Sequence, residues 1–209
     1  MKSTHSTESV LGTRSRVRVL RVLHGVQVPL NASQIAVRTG LSQPAVSSVL
    51  DKLESMGLVE SSPAGRAWVH WLVRDNVYVT KMIDPVFAAE EAIPDLLLSD
   101  LRETFRDLTV SVVIFGSYAR GDQDETSDVD VALVAVDAEA KVVLEEAVDV
   151  ASSRFARAYG ATLSPVVYDM AEAASLWRRA PSLQADLEQD AVVVDGLSPS
   201  EWRNRGEKE

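Results

Sequence analysis

Two hydrophobic stretches joined by an acidic loop constrain the fold of this 209-residue chain more than any other feature; residues 110–134 read VSVVIFGSYARGDQDETSDVDVALV. Strand interiors rarely contain aspartate, yet Asp128 and Asp130 lie at the start of the second stretch. Side-chain direction repeats every two residues along a strand, so both carboxylates share one face. Two neighbouring carboxylates repel each other unless a cation lies between them. The pattern therefore predicts a site for a divalent cation such as Mg²⁺, which prefers oxygen ligands and binds together with substrate phosphates.

The end of the first stretch has features of an anion site. Gly116 lets the backbone come close to a ligand, and Ser117 can donate its hydroxyl. A helix beginning there would direct its free N–H groups at an anion, and Arg120, one turn later, can reach the same anion. An anion site beside a carboxylate pair predicts nucleotidyl transfer from a nucleoside triphosphate (NTP) with Mg²⁺.

The run GSYARGDQDETSDVDVALV resembles the G-S-x-A-x-G…[S/T]-D-x-D-hydrophobic signature of the DNA polymerase beta superfamily, in its minimal bacterial nucleotidyltransferase branch. The resemblance covers about residues 109–196. It implies that Gly116 and Ser117 bind the triphosphate of an NTP, with Arg120 nearby. It also implies that Asp128 and Asp130 are the catalytic carboxylates and hold Mg²⁺.

The chain departs from that family at a third carboxylate, which the family places on a later strand beside the metal pair. The corresponding stretch reads ATLSPVVYDM, and Ser164 occupies the aligned position. Asp169 is predicted to cap the following helix instead. Without a third acid, a second metal would be weakly held and the general base missing. Two functions stay open: an active transferase, or a sensor that binds nucleotide without turnover.

The front of the chain has the pattern of a helix-turn-helix followed by a two-stranded wing. Asn31 and Gln34 have the spacing of a capping box at the start of a helix that ends at Gly40. Ser42 is predicted to cap the next helix, whose apolar residues recur at helical spacing up to Gly57. Two strands around the turn Ser-Pro-Ala-Gly (62–65) follow.

The run from Arg16 to Val73 resembles the winged helix-turn-helix of small bacterial repressors of the MarR and ArsR type. The resemblance implies binding to duplex DNA by a recognition helix from Gln43 to Ser55 and by the wing. The residues expected at the DNA are Gln43, Ser47, Ser48 and Lys52 on the helix, and Arg66 and His70 on the wing. The alternative is a winged helix used for protein docking or dimerisation.

The charge distribution supports a division into two units. Residues 1–82 hold ten basic and five acidic residues and are net +5, whereas the rest of the chain is net −15. We predict an α+β protein: a winged helix-turn-helix domain at 1–82, a helical linker at 83–108, and an α/β nucleotidyltransferase domain with a mixed sheet at 109–209. Pro94 is expected to break or kink the linker helix.

The partners and location follow from the same patterns. We expect a homodimer that binds duplex DNA and NTP. The absence of cysteine fits the cytoplasm, and no apolar run is long enough to span a membrane. The first sixteen residues are predicted to form a disordered arm, and residues 198–209 a loosely held helix or a disordered tail.

Overall fold

The computed structural model describes residues 5–122, 127–179, 187 and 189–206. The chain divides into two units, Met1–Ile93 and Pro94–Glu209. Within the described residues, no helix is long and apolar enough to cross a bilayer. The first unit holds a winged helix-turn-helix and the second a mixed sheet covered by helices, which confirms the predicted α+β class.

The first unit is built from helices with local capping signals. Its elements are α1 Thr7–Leu11, α2 Arg14–His24, β1 Leu30–Asn31, α3 Ala32–Thr39, α4 Gln43–Ser55, β2 Val59–Ala64, β3 Ala67–Leu72 and a π-helical turn Val79–Ile83. The capping box of Asn31 and Gln34 is confirmed, because each side chain accepts a hydrogen bond from the other residue's backbone N–H at 2.9 Å. Ser42 caps α4 as predicted.

Strands β2 and β3 form the wing, and β1 adds a third antiparallel strand beside β3. Ala64 pairs with Ala67, so the turn is Gly65-Arg66 rather than the predicted 62–65. Gly65 has φ +65, a left-handed conformation that a tight hairpin turn requires and that glycine adopts without strain. The prediction was wrong by two residues because glycine, not proline, determines where the chain reverses.

The N-terminal arm is ordered from residue 7, contrary to the prediction. Helix α1 is capped by Ser6, whose hydroxyl accepts a hydrogen bond from Ser9 N at 3.1 Å. Val10 is fully buried in the core of the first unit. A single buried side chain in a polar segment gives no periodic signal, which explains why the sequence pattern missed this helix.

Residues 83–108, predicted as a linker, lie mainly in one helix, α5 Asp84–Phe105. The helix is unbroken at Pro94, although proline removes one backbone hydrogen bond and crowds the preceding turn. Phe87 packs in the core of the first unit, and Leu97 and Leu101 pack in the core of the second. Packing on both sides of Pro94 therefore outweighs the local cost of the proline.

The second unit is a four-stranded sheet in the order β6-β5-β4-β7. Strands β5 and β6 are parallel and the other pairs antiparallel, so the sheet is mixed as predicted. Its elements after α5 are β4 Ser111–Phe115, α6 Gly116–Arg120, β5 Val129–Ala135, α7 Ala138–Tyr159, β6 Leu163–Asp169, α8 Met170–Arg179, β7 Val192–Gly196 and α9 Pro199–Gly206.

Each face of this sheet has its own core. Val129, Val131 and Leu133 of β5 pack with residues of α5 and α7 on one face. Ala132 and Val134, which alternate with them, pack with residues of α8 and α9 on the other. Asp130 belongs by alternation to the second face, at its end nearest the start of β5.

The C-terminal segment is anchored, which corrects the prediction of a loosely held tail. Helix α9 places Trp202 in the second core with no exposed surface. One fully buried tryptophan removes a large apolar area from water. From its sequence, the stretch 182–189 is also predicted to be a helix, and it lies mostly outside the described residues.

Candidate functional site

The two predicted metal ligands lie where β5 begins. Asp128 immediately precedes β5 and is exposed, whereas Asp130 is its second residue and is half-buried. Their spacing directs both carboxylates to the same face of the sheet. Within the described parts of the chain, neither carboxylate forms an ion pair with a basic side chain. Two uncompensated negative charges at this spacing can share one divalent cation.

Gly116 connects the end of β4 to this carboxylate pair. Phe115 of β4 pairs with Asp130 of β5. Gly116, the residue after Phe115, therefore lies directly beside Asp130. A Cβ atom on Gly116 would lie 2.3 Å from Asp130 Oδ2, well inside van der Waals contact. Gly116 also has φ +72, which side chains other than glycine rarely adopt. Only glycine therefore leaves the Asp130 carboxylate in its place.

The predicted phosphate-binding residues lie on α6, a helix of five residues. Ser117 is half-buried, and its carbonyl oxygen accepts a hydrogen bond from Asp122 N at 3.1 Å. Arg120 is exposed and lies between two carboxylates. Its Nε is 3.2 Å from Asp122 Oδ2, and its Nη1 is 3.8 Å from Asp190 Oδ2. The structure thus brings Gly116 and Ser117 next to the carboxylate pair, while Arg120 is engaged with other acids.

Asp190 was not singled out from the sequence. It lies just before β7, which pairs with β4 in antiparallel orientation and has Val192 opposite Ile114. This pairing brings Asp190 to the end of β4 that leads into α6. Asp190 and Arg120 are 70 residues apart, and no motif links them. Only the strand pairing could have revealed this contact.

Ser164 lies directly beside Asp130. Parallel strands β5 and β6 pair Asp130 with Ser164, so their side chains point to the same face of the sheet. Asp169 lies at the other end of β6, where its Oδ1 accepts a hydrogen bond from Glu172 N at 2.7 Å at the start of α8. The predicted capping role of Asp169 is confirmed. Among the described residues, no group of three or more metal-ligating side chains occurs.

The predicted DNA-contacting residues of the first unit all lie at its surface, with one exception on the wing. Gln43, Ser47, Ser48 and Lys52 are exposed on α4, opposite the buried Val46, Leu50 and Leu53, and Arg66 is exposed at the turn of the wing. Gln43 and Ser47 line a cleft of about 440 Å³ between α4 and the wing. In helix-turn-helix proteins, the second helix of the motif lies in the major groove with its exposed polar side toward the bases.

The exception is His70, which does not face outward on the wing. Its Nδ1 lies 3.0 Å from Glu54 Oε1 of α4, and its side chain is only 13% exposed. This contact gives no support to the expected approach of His70 to phosphates, because the histidine pairs β3 with α4. The sequence gives no sign of the pairing, because the two residues meet only once the hairpin folds against the helix.

Comparison with known proteins assigns one family to each unit. Residues 13–67 match the family "MarR family", and residues 96–194 match "Nucleotidyltransferase domain". A protein of Methanocaldococcus jannaschii named "Putative protein adenylyltransferase" is 36% identical over 69 residues, which are 33% of this chain and 69% of that protein. Both predicted family resemblances are confirmed.

Two solved structures are among those to which the chain shows some similarity. A homodimeric winged helix-turn-helix DNA-binding domain from Mycobacterium bovis is 20% identical, with 44% of this chain and 92% of that one covered and a TM-score of 0.33. A toxin-antitoxin structure with AMP-PNP is 19% identical, with 53% and 82% covered and a TM-score of 0.34.

Proposed function

Because the chain combines a nucleotidyltransferase domain with a MarR-family winged helix-turn-helix, we propose that it is a DNA-binding transcriptional regulator that also transfers nucleoside monophosphate. Its second unit binds Mg²⁺-NTP and passes the nucleoside monophosphate to a hydroxyl acceptor. Both activities reside in one polypeptide, so nucleotide chemistry and gene control can be linked.

The proposed transferase activity rests on one observation: Gly116 packs against the carboxylate of Asp130, next to Asp128. The two carboxylates supply hard oxygen ligands that fit one Mg²⁺ held together with triphosphate oxygens. When bound, the ion would neutralise charge on the phosphates during transfer. Asp128 and Asp130 would hold the ion, while Gly116 and Ser117 bind the triphosphate.

We propose ATP as the nucleotide and a protein hydroxyl as the acceptor, on the strength of the archaeal relative's name. The acceptor oxygen forms a bond to the α-phosphorus as the bond from that phosphorus to the β-phosphate's bridging oxygen breaks. Pyrophosphate leaves with the electron pair, and the hydroxyl proton passes to water. Gly116 and Ser117 position the triphosphate for this displacement, and Asp128 and Asp130 would contribute by holding the Mg²⁺ that offsets its charge.

The test separates binding from transfer. Calorimetry with a non-hydrolysable ATP analogue and the full chain should show Mg²⁺-dependent binding that Asp128→Asn and Asp130→Asn abolish. Asp149→Asn, an exposed carboxylate on α7, is the matched control and should bind as the wild type does. ATP labelled on its α-phosphate, added with the chain to a cell extract, should then label a protein that Asp130→Asn leaves unlabelled. Unchanged Mg²⁺-dependent affinity in the Asp130 variant would refute the proposed site.

A second candidate function is nucleotide sensing without turnover, and the position of Ser164 favours it. A serine stands beside Asp130 on the neighbouring strand, where a carboxylate could hold a second metal or accept the hydroxyl proton. In a sensor, Mg²⁺-ATP would bind and alter DNA affinity, with no pyrophosphate released. Binding in the calorimeter without labelling in the extract would select this candidate.

DNA binding is proposed for the first unit, with the chain acting as a homodimer. Exposed polar residues of α4 and Arg66 of the wing support contact with duplex DNA. Val86 and Ile93 of α5 lie seven residues apart and are 45% and 49% exposed, a helical spacing that supports contact with a second copy. Dimers of this kind bind two half-sites about one helical turn of DNA apart.

A further inference from the structure

The exposed side of α4 carries a stripe that includes an acidic residue. Gln43, Ser47 and Asp51 recur every four residues, so they follow one another along the same side of the helix. All three are exposed, and all three line the cleft between α4 and the wing. Asp51 therefore continues the row that begins with the predicted base-contacting residues.

Residues 31–33 and the wing form the other walls of this cleft. Trp68, His70 and Leu72 alternate along β3 and share one face. That face is turned to α4, because His70 is paired with Glu54 and Leu72 is buried. Trp68 is 58% exposed and lines the cleft opposite the stripe. Asp51 thus lies across from an indole, and no lysine or arginine is among the described residues that line the cleft.

A carboxylate without a basic partner lowers the affinity of a surface for DNA. Phosphates repel it, and this repulsion lowers affinity for every sequence. Two amino groups donate hydrogen bonds in the major groove, cytosine N4 and adenine N6, but adenine also places its N7 acceptor beside N6, where it repels a carboxylate oxygen. Cytosine N4 is therefore the better partner for an aspartate, and Asp51 would be tolerated best on a site that presents cytosine at the matching position.

We infer that Asp51 is a specificity-determining residue, which accepts a hydrogen bond from a cytosine N4 amino group and repels DNA that lacks it. The inference rests on the proposed DNA binding of the first unit. It assigns to Asp51 a role opposite to that of Lys52, the next residue, whose charge favours all DNA equally. The stripe reads bases, whereas Lys52 and Arg66 contact phosphates.

The experiment is selection of duplexes from a random DNA library by the full-length chain at fixed salt. Wild type should enrich sites with cytosine at one position of each half-site. Asp51→Asn should move that preference from cytosine toward adenine, because an amide donates and accepts as adenine requires. Replacing the cytosine should weaken wild-type binding between about fivefold and a hundredfold, the usual range for one base contact.

Asp75→Asn is the matched control, since Asp75 is exposed in the same unit and lies outside the cleft. It should leave the selected sequence unchanged. A uniform rise in the affinity of Asp51→Asn without any change of preferred base would overturn the inference, because Asp51 would then act only by repelling phosphates. A wild-type chain that selects no DNA would refute the proposed DNA binding itself, whereas selection with an unaltered preference in Asp51→Asn refutes this inference alone.

Discussion

At the scale of single residues, the carboxylate pair depends on a glycine. Gly116→Ala should abolish or strongly weaken Mg²⁺-ATP binding, because the new methyl group would fall 2.3 Å from Asp130 Oδ2 and displace it. Gly121→Ala is the matched control: Gly121 has nearly the same φ, +73, but a methyl group there would meet no atom within 4 Å. Both variants should lose about 1 kcal/mol of stability from backbone strain. Calorimetry that shows equal nucleotide affinity in the two variants would contradict this prediction.

Ser164 allows a gain of function to be tested. Ser164→Asp would add a carboxylate beside Asp130, hold a second metal better and accelerate pyrophosphate release. A tenfold gain needs only about 1.4 kcal/mol of transition-state stabilisation. Repulsion among three carboxylates should lower stability until metal saturates the site, so the assay is pyrophosphate release across a Mg²⁺ titration.

Ser153→Asp on the exposed side of α7 adds the same charge on a different element and should not alter turnover. If the wild-type chain already turns over well, and Ser164→Asp is no faster at saturating Mg²⁺, then Ser164 does not occupy the position of the family's third carboxylate. Ser164 could be predicted from the sequence because the stretch ATLSPVVYDM aligns with the family strand that carries the third carboxylate. The contact between Arg120 and Asp190 could not be predicted from the sequence, because it depends on the pairing of strands that are far apart along the chain.

At the scale of secondary structure, local signals predicted the elements well wherever caps and alternation agree. Helices α3 and α4 begin directly after their predicted caps, Asn31 and Ser42. The two ends of the chain were predicted poorly, because Val10 and Trp202 are held by cores formed from residues far away in sequence. A short polar helix with one buried side chain is specified by tertiary packing, which periodicity does not reveal.

The start of α8 carries a capping box that is also an ion pair. Glu172 Oε2 accepts hydrogen bonds from Asp169 N at 3.0 Å and from Lys141 Nζ at 2.6 Å. The hydrogen bond with Glu172 raises the pKa of Lys141, although partial burial opposes the rise. Glu172→Gln should therefore lower the free energy of unfolding by about 1 kcal/mol, a small value because both side chains are partly exposed.

The direction of the Lys141 pKa shift determines how the stability lost in Glu172→Gln depends on pH. A lysine whose pKa is higher in the folded state stabilises the fold fully below its unfolded pKa of about 10.4, and this contribution disappears as pH rises through the folded pKa. Urea unfolding should show a constant difference between wild type and Glu172→Gln from about pH 7 to about pH 9, below that unfolded value. Glu145→Gln, whose carboxylate is 4.0 Å from Lys141, is the control and should cost less. An equal loss in both variants would contradict the assignment.

At the scale of the whole molecule, the chain combines a basic front segment of net +5 with an acidic remainder of net −15. The protein is net −10, so overall charge opposes approach to DNA. The proposed DNA binding must then depend on local contacts by basic residues of the first unit. With such a charge distribution, adhesion to random DNA should be weak and sequence-specific contacts should decide the affinity.

The charge distribution leads to a prediction about salt. Affinity of the full-length chain for its selected duplex should fall as salt rises, and each lost phosphate contact should reduce the log–log slope by about 0.9. Lys52→Ala and Arg66→Ala should each show that reduction, measured by fluorescence anisotropy at several salt concentrations. Arg157→Ala removes an exposed basic residue from the acidic unit and should leave the slope unchanged. If Lys52 and Arg66 behave as Arg157 does, the winged helix does not contact phosphates with these residues, and its use in protein docking becomes the better explanation.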